Sequence, residues 1–166
     1  MIRYERIDTG HPLYPAECRL RELVLLSPIG YDMDRFQREY PGFEDASTHF
    51  VAVLETPGGD RVIGCALLSD QTEQPGVGKL MQMAVHPQRQ GEGIGRRLVI
   101  EVERHAFVEV SLGAVYCHAQ LPAIPFYERL GWIEDSGVFQ EAGIPHRRMR
   151  LNRPEADPAP HPVPDW

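Results

Sequence analysis

Cysteine is scarce in this chain, tryptophan scarcer, and long apolar runs are missing altogether. Cys18, Cys65 and Cys117 are the only three cysteines in 166 residues. They are odd in number, widely spaced and set among apolar neighbours, which excludes a disulfide framework or zinc-finger spacing and reads as buried thiols. Nowhere do about eighteen apolar residues run together, and Met1-Ile-Arg-Tyr-Glu-Arg-Ile7 lacks the hydrophobic run of a signal peptide. The expectation is a cytoplasmic protein with no membrane partner. Positive charge is also in deficit, 17 Lys and Arg against 24 Asp and Glu for a formal net charge of −7. With no basic stripe interleaved with aromatics, nucleic acid is not an expected partner. The same balance favours a cationic or neutral small ligand over an anionic one.

What is present is ordinary for a globular domain: 42% hydrophobic and 25% charged residues, with enough length for one sizeable core. Ile2 to Asp8 alternates apolar and polar residues as a strand does. From Tyr14, the residues Cys18, Leu20, Leu23, Val24 and Leu26 follow helical spacing until Pro28 and Gly30. A short helix follows over Asp32 to Tyr40. His49 to Leu54 and Arg61 to Leu68 are β-rich runs joined by Thr56-Pro-Gly-Gly-Asp60, a hairpin signal, and Lys79 to Val85 is the next strand. Ile94, Leu98, Val102 and Ala106 recur every four residues and predict a helix burying one stripe. Ala114 to Ala119 is a further strand, and Pro122 to Gly131 a short helix with prolines in its first turn and glycine at its end. Trp132 to Gln140 and His146 to Leu151 predict a closing antiparallel pair, turning around Glu141 to Pro145. Residues 153–166 carry five prolines without periodicity and read as an extended tail after a single domain at 1–152.

The stretch between the fourth strand of this series and the long helix is the most informative. Met83-Ala-Val-His-Pro87 ends a strand, and Gln90-Gly-Glu-Gly-Ile-Gly95 then enters a helix. Glycines let the backbone approach an anion closely, and the unpaired N–H groups of a helix start point at it with the positive end of the macrodipole. Arg89, Arg96 and Arg97 add cations. A dinucleotide fingerprint needs a third glycine where Arg96 stands, and a Walker loop needs Gly-Lys-Ser/Thr, so ATP and NAD are disfavoured.

Gln90-x-x-Gly93-x-Gly95 after a strand resembles the pyrophosphate loop of the GNAT superfamily of acyl-CoA N-acyltransferases. A second segment, Ala123-x-x-Phe126-Tyr127-Glu-Arg-x-Gly131-Trp132, is similar to the A-x-x-F-Y-x-x-x-G-F segment of that superfamily. Gly143-Ile-Pro-His146-x-x-Met149 resembles part of its ElaA-like branch. The resemblance covers residues 1 to 152. It implies an α/β (α+β) fold with a mixed, mostly antiparallel central sheet, helices on both faces, and a fourth and fifth strand that splay apart.

It further implies a function and a site. The activity would be transfer of an acetyl group from acetyl-CoA, the cosubstrate, to a primary amine of a small molecule or protein by direct attack, with no metal. The pantetheine would pair with Met83, Ala84 and Val85, and the diphosphate would sit among Arg89, Gln90, Gly91, Gly93, Ile94, Gly95 and Arg96. Tyr127 would be the acid that protonates the departing thiolate, since a phenol of pKa about 10 can serve a thiol of about 8.5. The strand carboxylate that some members use as base has no counterpart among Lys79, Leu80, Met81 and Gln82. His118 and His146 are the titratable alternatives, with Glu44, Asp45 and His49 on the acceptor side behind them. The missing carboxylate leaves a second function class open, an acyl-CoA-binding sensor without turnover. A homodimer is expected by analogy with the fold.

Overall fold

Strand β1 (Ile2–Ile7) leads into helix α1 (Tyr14–Arg21), which relaxes through a π turn at Glu22–Leu26 and a 3-10 turn at Ser27–Ile29 before left-handed Gly30 stops it. This is a computed structural model, and it describes residues 1–155; most of the proline-rich tail, from residue 156, lies outside the described residues. Helix α2 (Met33–Glu39) starts at Asp32, whose carboxylate accepts the Arg35 N–H at 2.8 Å. A one-turn helix α3 (Phe43–Ala46) follows, then β2 (Thr48–Thr56), β3 (Gly59–Ser69) and β4 (Val77–Val85). Helix α4 (Ile94–Arg104) continues into a π turn at His105–Glu109. After it come β5 (Ala114–Gln120), α5 (Ile124–Arg129), β6 (Ile133–Glu134), β7 (Phe139–Glu141) and β8 (Ile144–Asn152).

The eight strands form one sheet in the order β1-β2-β3-β4-β5-β8-β6, with β7 also paired to β8. Every pairing is antiparallel except β4 with β5. That parallel pairing covers only Val77↔Ala114, Gly78↔Val115 and Lys79↔Tyr116. Beyond it Leu80–Val85 and Cys117–Gln120 face each other without ladder bonds, so the splayed fourth and fifth strands expected from the sequence are present. A bulge accompanies the splay. The β3–β4 register steps from Leu67↔Met81 to Cys65↔Ala84, and Gln82 takes a left-handed φ of 50°.

Helices cover both faces, and strand alternation decides which side chains meet them. Phe50, Ala52, Ile63, Ala66 and Leu68 turn toward α4, where Ile94, Leu98, Val99 and Val102 form the buried stripe that the sequence spacing predicts. Val51, Val53, Cys65 and Ala84 turn the other way toward Leu20 of α1.

Three expectations need correction. Leu23, read as part of the apolar stripe of α1, is 55% exposed; the helix instead buries Glu17 and Arg21. The closing hairpin's first strand breaks into β6 and β7, because the Ser136 hydroxyl, in place of a backbone carbonyl, accepts the Arg148 N–H at 2.9 Å and residues 135–138 leave the ladder. Its turn is tighter than a loop over Glu141 to Pro145: Glu141 and Ile144 already pair, and only Ala142 and Gly143, both at positive φ, lie between them. Helix α3 was not anticipated, since four residues are too short for periodicity to register.

Candidate active site

The splay opens into a cleft of about 900 Å³ between the C-terminal half of β4, the start of α4 and helix α5. Its wall contains Met83, Ala84, Val85, Arg89, Gln90, Gly91, Gly93, Ile94, Gly95, Arg96 and Tyr127. The residues expected to hold acyl-CoA are therefore gathered around one space. Arg97 is not among them. Its guanidinium turns back to Glu101 at 2.8 Å and over the Tyr4 ring, away from the cleft. Arg129, in the last turn of α5, lines the cleft and was not singled out from the sequence, where it occupies an unspecified position of the Tyr127 segment.

The strand end and the loop present donors. The His86 N–H bonds Ile63 O on β3 at 2.8 Å, so by strand alternation the N–H and C=O of Val85 point the opposite way, into the gap. The Gln90 side-chain amide donates to that Val85 carbonyl at 3.3 Å, leaving the N–H unengaged by β3. Gly93 stands at the N-cap of α4 at φ 82° with no side-chain cap, so the first N–H groups of the helix are open. A side chain at Gly93 would meet open space; what demands glycine is the left-handed φ. Gly95 differs, because a Cβ there would come within 3.0 Å of Met83 Cε. Its bareness lets α4 approach the end of β4. Arg89 Nε is buried without a hydrogen-bond partner, since the Glu92 carboxylate 3.2 Å away lies off the bonding direction. An unsatisfied buried cationic donor beside bare helix N–H groups suits a diphosphate.

Tyr127 is 7% exposed, and its hydroxyl reaches Met83 Sδ at 3.6 Å across the gap. Burial raises the phenol well above its ordinary value, with Cys117 beside it adding to the effect, so at neutral pH it is a proton donor. Burial likewise pushes the Cys117 thiol up to about 12, which makes it inert.

On the acceptor side of the sheet, His118 and His146 come together around Glu141, a residue the sequence reading did not single out. His118 Nδ1 lies 2.9 Å from Glu141 Oε1, and His146 Nε2 lies 3.7 Å from Oε2. A carboxylate accepts, so Nδ1 of His118 carries a proton and Nε2 is the ring atom that faces away from Glu141. His146 Nδ1 donates to the Ile144 carbonyl at 2.7 Å. Phe139 packs edge-on to His118 at 4.9 Å and stacks on His146 at 6.0 Å. His118, His146, Glu141 and Tyr127 line a common cavity reaching Met83 and Cys117.

Glu44 and His49 are withdrawn from the role of acceptor-side base. Both are buried beneath α1, His49 fully. Arg21 makes a bidentate pair with Glu44 at 2.6 and 2.9 Å and reaches Glu17 at 3.3 Å. Tyr14 donates to Glu44 at 2.6 Å, and His49 lies 2.9 Å from Glu17 through Nδ1 and 2.7 Å from Glu44 O through Nε2. Glu17, Glu44 and His49 are close enough together to ligate a cation, but the Arg21 guanidinium already occupies that place. Asp45 is exposed and accepts from the Thr9 hydroxyl at 2.7 Å. Arg21 has one more contact: its Nε donates to the Gln82 side chain at 3.2 Å, tying the buried cluster to the bulge of β4. Among the described residues, no helix is long and apolar enough to cross a membrane.

Comparison with known proteins agrees with this architecture. Residues 18–132 match the sequence model of the acetyltransferase (GNAT) family. A UPF0039 protein of Schizosaccharomyces pombe is 28% identical over 100 residues, 60% of this chain and 65% of the relative, so the match spans just under two thirds of that relative's length. The crystal structure of Escherichia coli ElaA superposes with a TM-score of 0.74 at 20% identity, over 90% of this chain and 99% of that one. An aminoglycoside 6'-N-acetyltransferase complexed with coenzyme A superposes with a TM-score of 0.71 at 18% identity, over 93% and 99% of the two chains. At these identities the likeness is one of fold.

Proposed function

The chain belongs to the acetyltransferase (GNAT) family, and from that premise we propose that residues 1–152 act as one domain transferring an acetyl group from acetyl-CoA to a primary amine in a ternary complex. The observation that carries the reading is the wedge between β4 and β5. A gap-facing Val85 N–H, the Tyr127 hydroxyl and the His118–Glu141 pair surround one opening, and the donor-rich loop lies at its other end.

Each residue then has a task. The bare N–H groups at the start of α4, with Arg89 and Arg96, hold the diphosphate. Val85 N–H donates to the thioester carbonyl oxygen and strengthens that bond as negative charge develops there. His118 Nε2 takes the proton that an ammonium must lose to become a nucleophile, while Glu141 holds the ring and stabilises the imidazolium. This replaces the absent strand carboxylate. Tyr127 gives its proton to the departing sulfur; the buried surroundings that raise the phenol also disfavour a thiolate beside it, so burial acts on both partners of the transfer. The attacking nitrogen loses its second proton to solvent as the tetrahedral adduct collapses, and solvent restores Tyr127 and removes the proton from His118.

The test is CoA-thiol release from acetyl-CoA against polyamines, amino acids, aminoglycosides and lysine peptides, run beside calorimetric binding of CoA. Amine-dependent release that drops at least about 100-fold in Tyr127→Phe, with CoA affinity retained, is the expected result. Tight CoA binding without release for any amine class would make the protein a CoA-binding sensor, and absent CoA binding would overturn the reading.

A further inference from the structure

The acceptor cleft extends from His118 toward the paired end of β4 and β5, where Lys79, Arg148 and Arg150 face Glu39, Glu73 and Asp135, and Lys79 has no ion-pair partner among the described residues. Lys79 and Met81 of β4, and Tyr116 and His118 of β5, occupy alternate positions and turn to the same face of the sheet. The Lys79 ammonium stands 5.8 Å from the centre of the Tyr116 ring, and the Arg148 guanidinium stands 5.8 Å from the same ring. Arg148 is already engaged by Asp135 at 3.0 Å. Lys79 is not: half-buried, it has no carboxylate within ion-pairing distance among the described residues, and Glu141 acts on it only at longer range. Burial disfavours the ammonium more than Glu141 supports it, so its pKa is lowered. A partly desolvated cation over an aromatic ring, with no carboxylate paired to it, is built to receive an anionic oxygen group.

Resting on the transferase reading, we propose that Lys79 and Arg148, across Tyr116, seat a carboxylate carried by the acyl acceptor. The acceptor is then a primary amine with an acidic group at a fixed distance. Two residues along a strand span about 7 Å, so the distance from the base at His118 to the seat at Tyr116 matches a nitrogen and a carboxylate about five or six bonds apart, as in an ω-amino acid or free lysine. The negative net charge that argues against an anionic ligand is met locally by the unpaired Lys79 ammonium, while the amine end still meets Glu141 and His118.

The proposal is tested with matched acceptors, 5-aminopentanoate against pentylamine and lysine against 1,5-diaminopentane, assayed on the full chain with acetyl-CoA. The acidic member of each pair is expected to have a kcat/KM at least about 10-fold higher, and Lys79→Gln to collapse that ratio toward unity through KM, with partial restoration by Lys79→Arg. Equal or better use of the amine lacking the carboxylate, or an unchanged ratio in Lys79→Gln, overturns the seat while leaving the transferase intact. If no amine releases CoA, the transferase reading fails separately. Calorimetric titration of the CoA-loaded protein with 5-acetamidopentanoate then decides the seat, with binding at least about 10-fold weaker in Lys79→Gln supporting it and equal binding overturning it.

Discussion

Below β2 and β3 the contact with α1 adds a set of buried ionisable side chains to the apolar packing around Leu20, whereas on the opposite face the sheet meets α4 through hydrocarbon. On the α4 side Leu98, Val99 and Val102 are completely buried among Phe50, Ala52 and Ala66. Each such side chain contributes about 1.5–3 kcal/mol without dictating direction. On the α1 side Glu17, Arg21, Glu44 and His49 form a closed set. His49 has only acceptors at its two nitrogens, the Glu17 carboxylate and the Glu44 carbonyl, so the imidazolium is the form that satisfies both, and its pKa is raised. Two carboxylates then balance two cations. Such a cluster adds little net stability over apolar packing, but it tolerates few arrangements. Through Arg21 and Gln82 it is bound to the bulge that aims the end of β4 into the cleft. The contrast assigns the faces different work: the α4 side holds the layers together, and the α1 side fixes where the bulge points.

Breaking the charged side should have the largest effect. Arg21→Met leaves two buried carboxylates without their main partner and is expected to cost about 3–5 kcal/mol in urea unfolding, with a raised KM for acetyl-CoA as the bulge loosens. Leu98→Ala on the apolar side should cost about 3 kcal/mol through the cavity it leaves. Its loss should be the same at every pH, and a loss that varied with pH would blur the distinction between the faces.

The next effect is smaller and separates the faces by titration. Burial disfavours the imidazolium of His49, but the hydrogen bond and charge of Glu17 outweigh it and hold the pKa above its ordinary 6.5. A group whose pKa is raised by folding stabilises fully below its unfolded value, and that stability is lost as pH climbs through the folded value. Melting temperature should therefore fall as pH rises from about 6.5 into the alkaline range. The groups facing His49 from α1 and α3 are Glu17, Glu44, Arg21 and Tyr14, and burial together with Glu44 keeps the Tyr14 phenol protonated well above its ordinary value. His49→Gln should flatten the slope; an unchanged slope would place its origin elsewhere.

The two faces were also unequally legible in the sequence. The cleft at α4 is built from two local segments, residues 83–96 and the 123–130 stretch around α5, and glycines at the strand-to-helix turn announce their purpose locally. Fold class and splay followed from those motifs. The charged cluster joins Glu17 and Arg21 of one helix to Glu44 and His49 across tertiary contacts, and reading Glu44 and His49 alone, without those partners, places them on the acceptor side. Reading α1 by hydrophobic period put Leu23 inside, because the period rule cannot know that a neutral set of charges will take the buried stripe. Glu141 escaped for a similar reason. It ends the three-residue strand β7, too short to register as a pattern, and only the pairing of β7 with β8 brings it to His118 and His146.

Gln82 is where the two functions of the charged face can be separated, and there the expected change in stability is smallest. Its left-handed φ of 50° costs a non-glycine residue about 1–2 kcal/mol, and its side chain accepts from Arg21 Nε at 3.2 Å, a bond to a charged donor worth about 1.5–3 kcal/mol. Gln82→Gly removes both, so the two nearly offset and unfolding free energy should move by no more than about 1 kcal/mol. Gln82→Ala keeps the strain and loses the bond, and should be the less stable variant by the strain alone. If the bulge is aimed by the Arg21 tie, both variants should raise the KM for acetyl-CoA by a similar factor despite their different stabilities. A KM that tracked stability instead would mean that the α1 face merely supports the sheet, as the α4 face does.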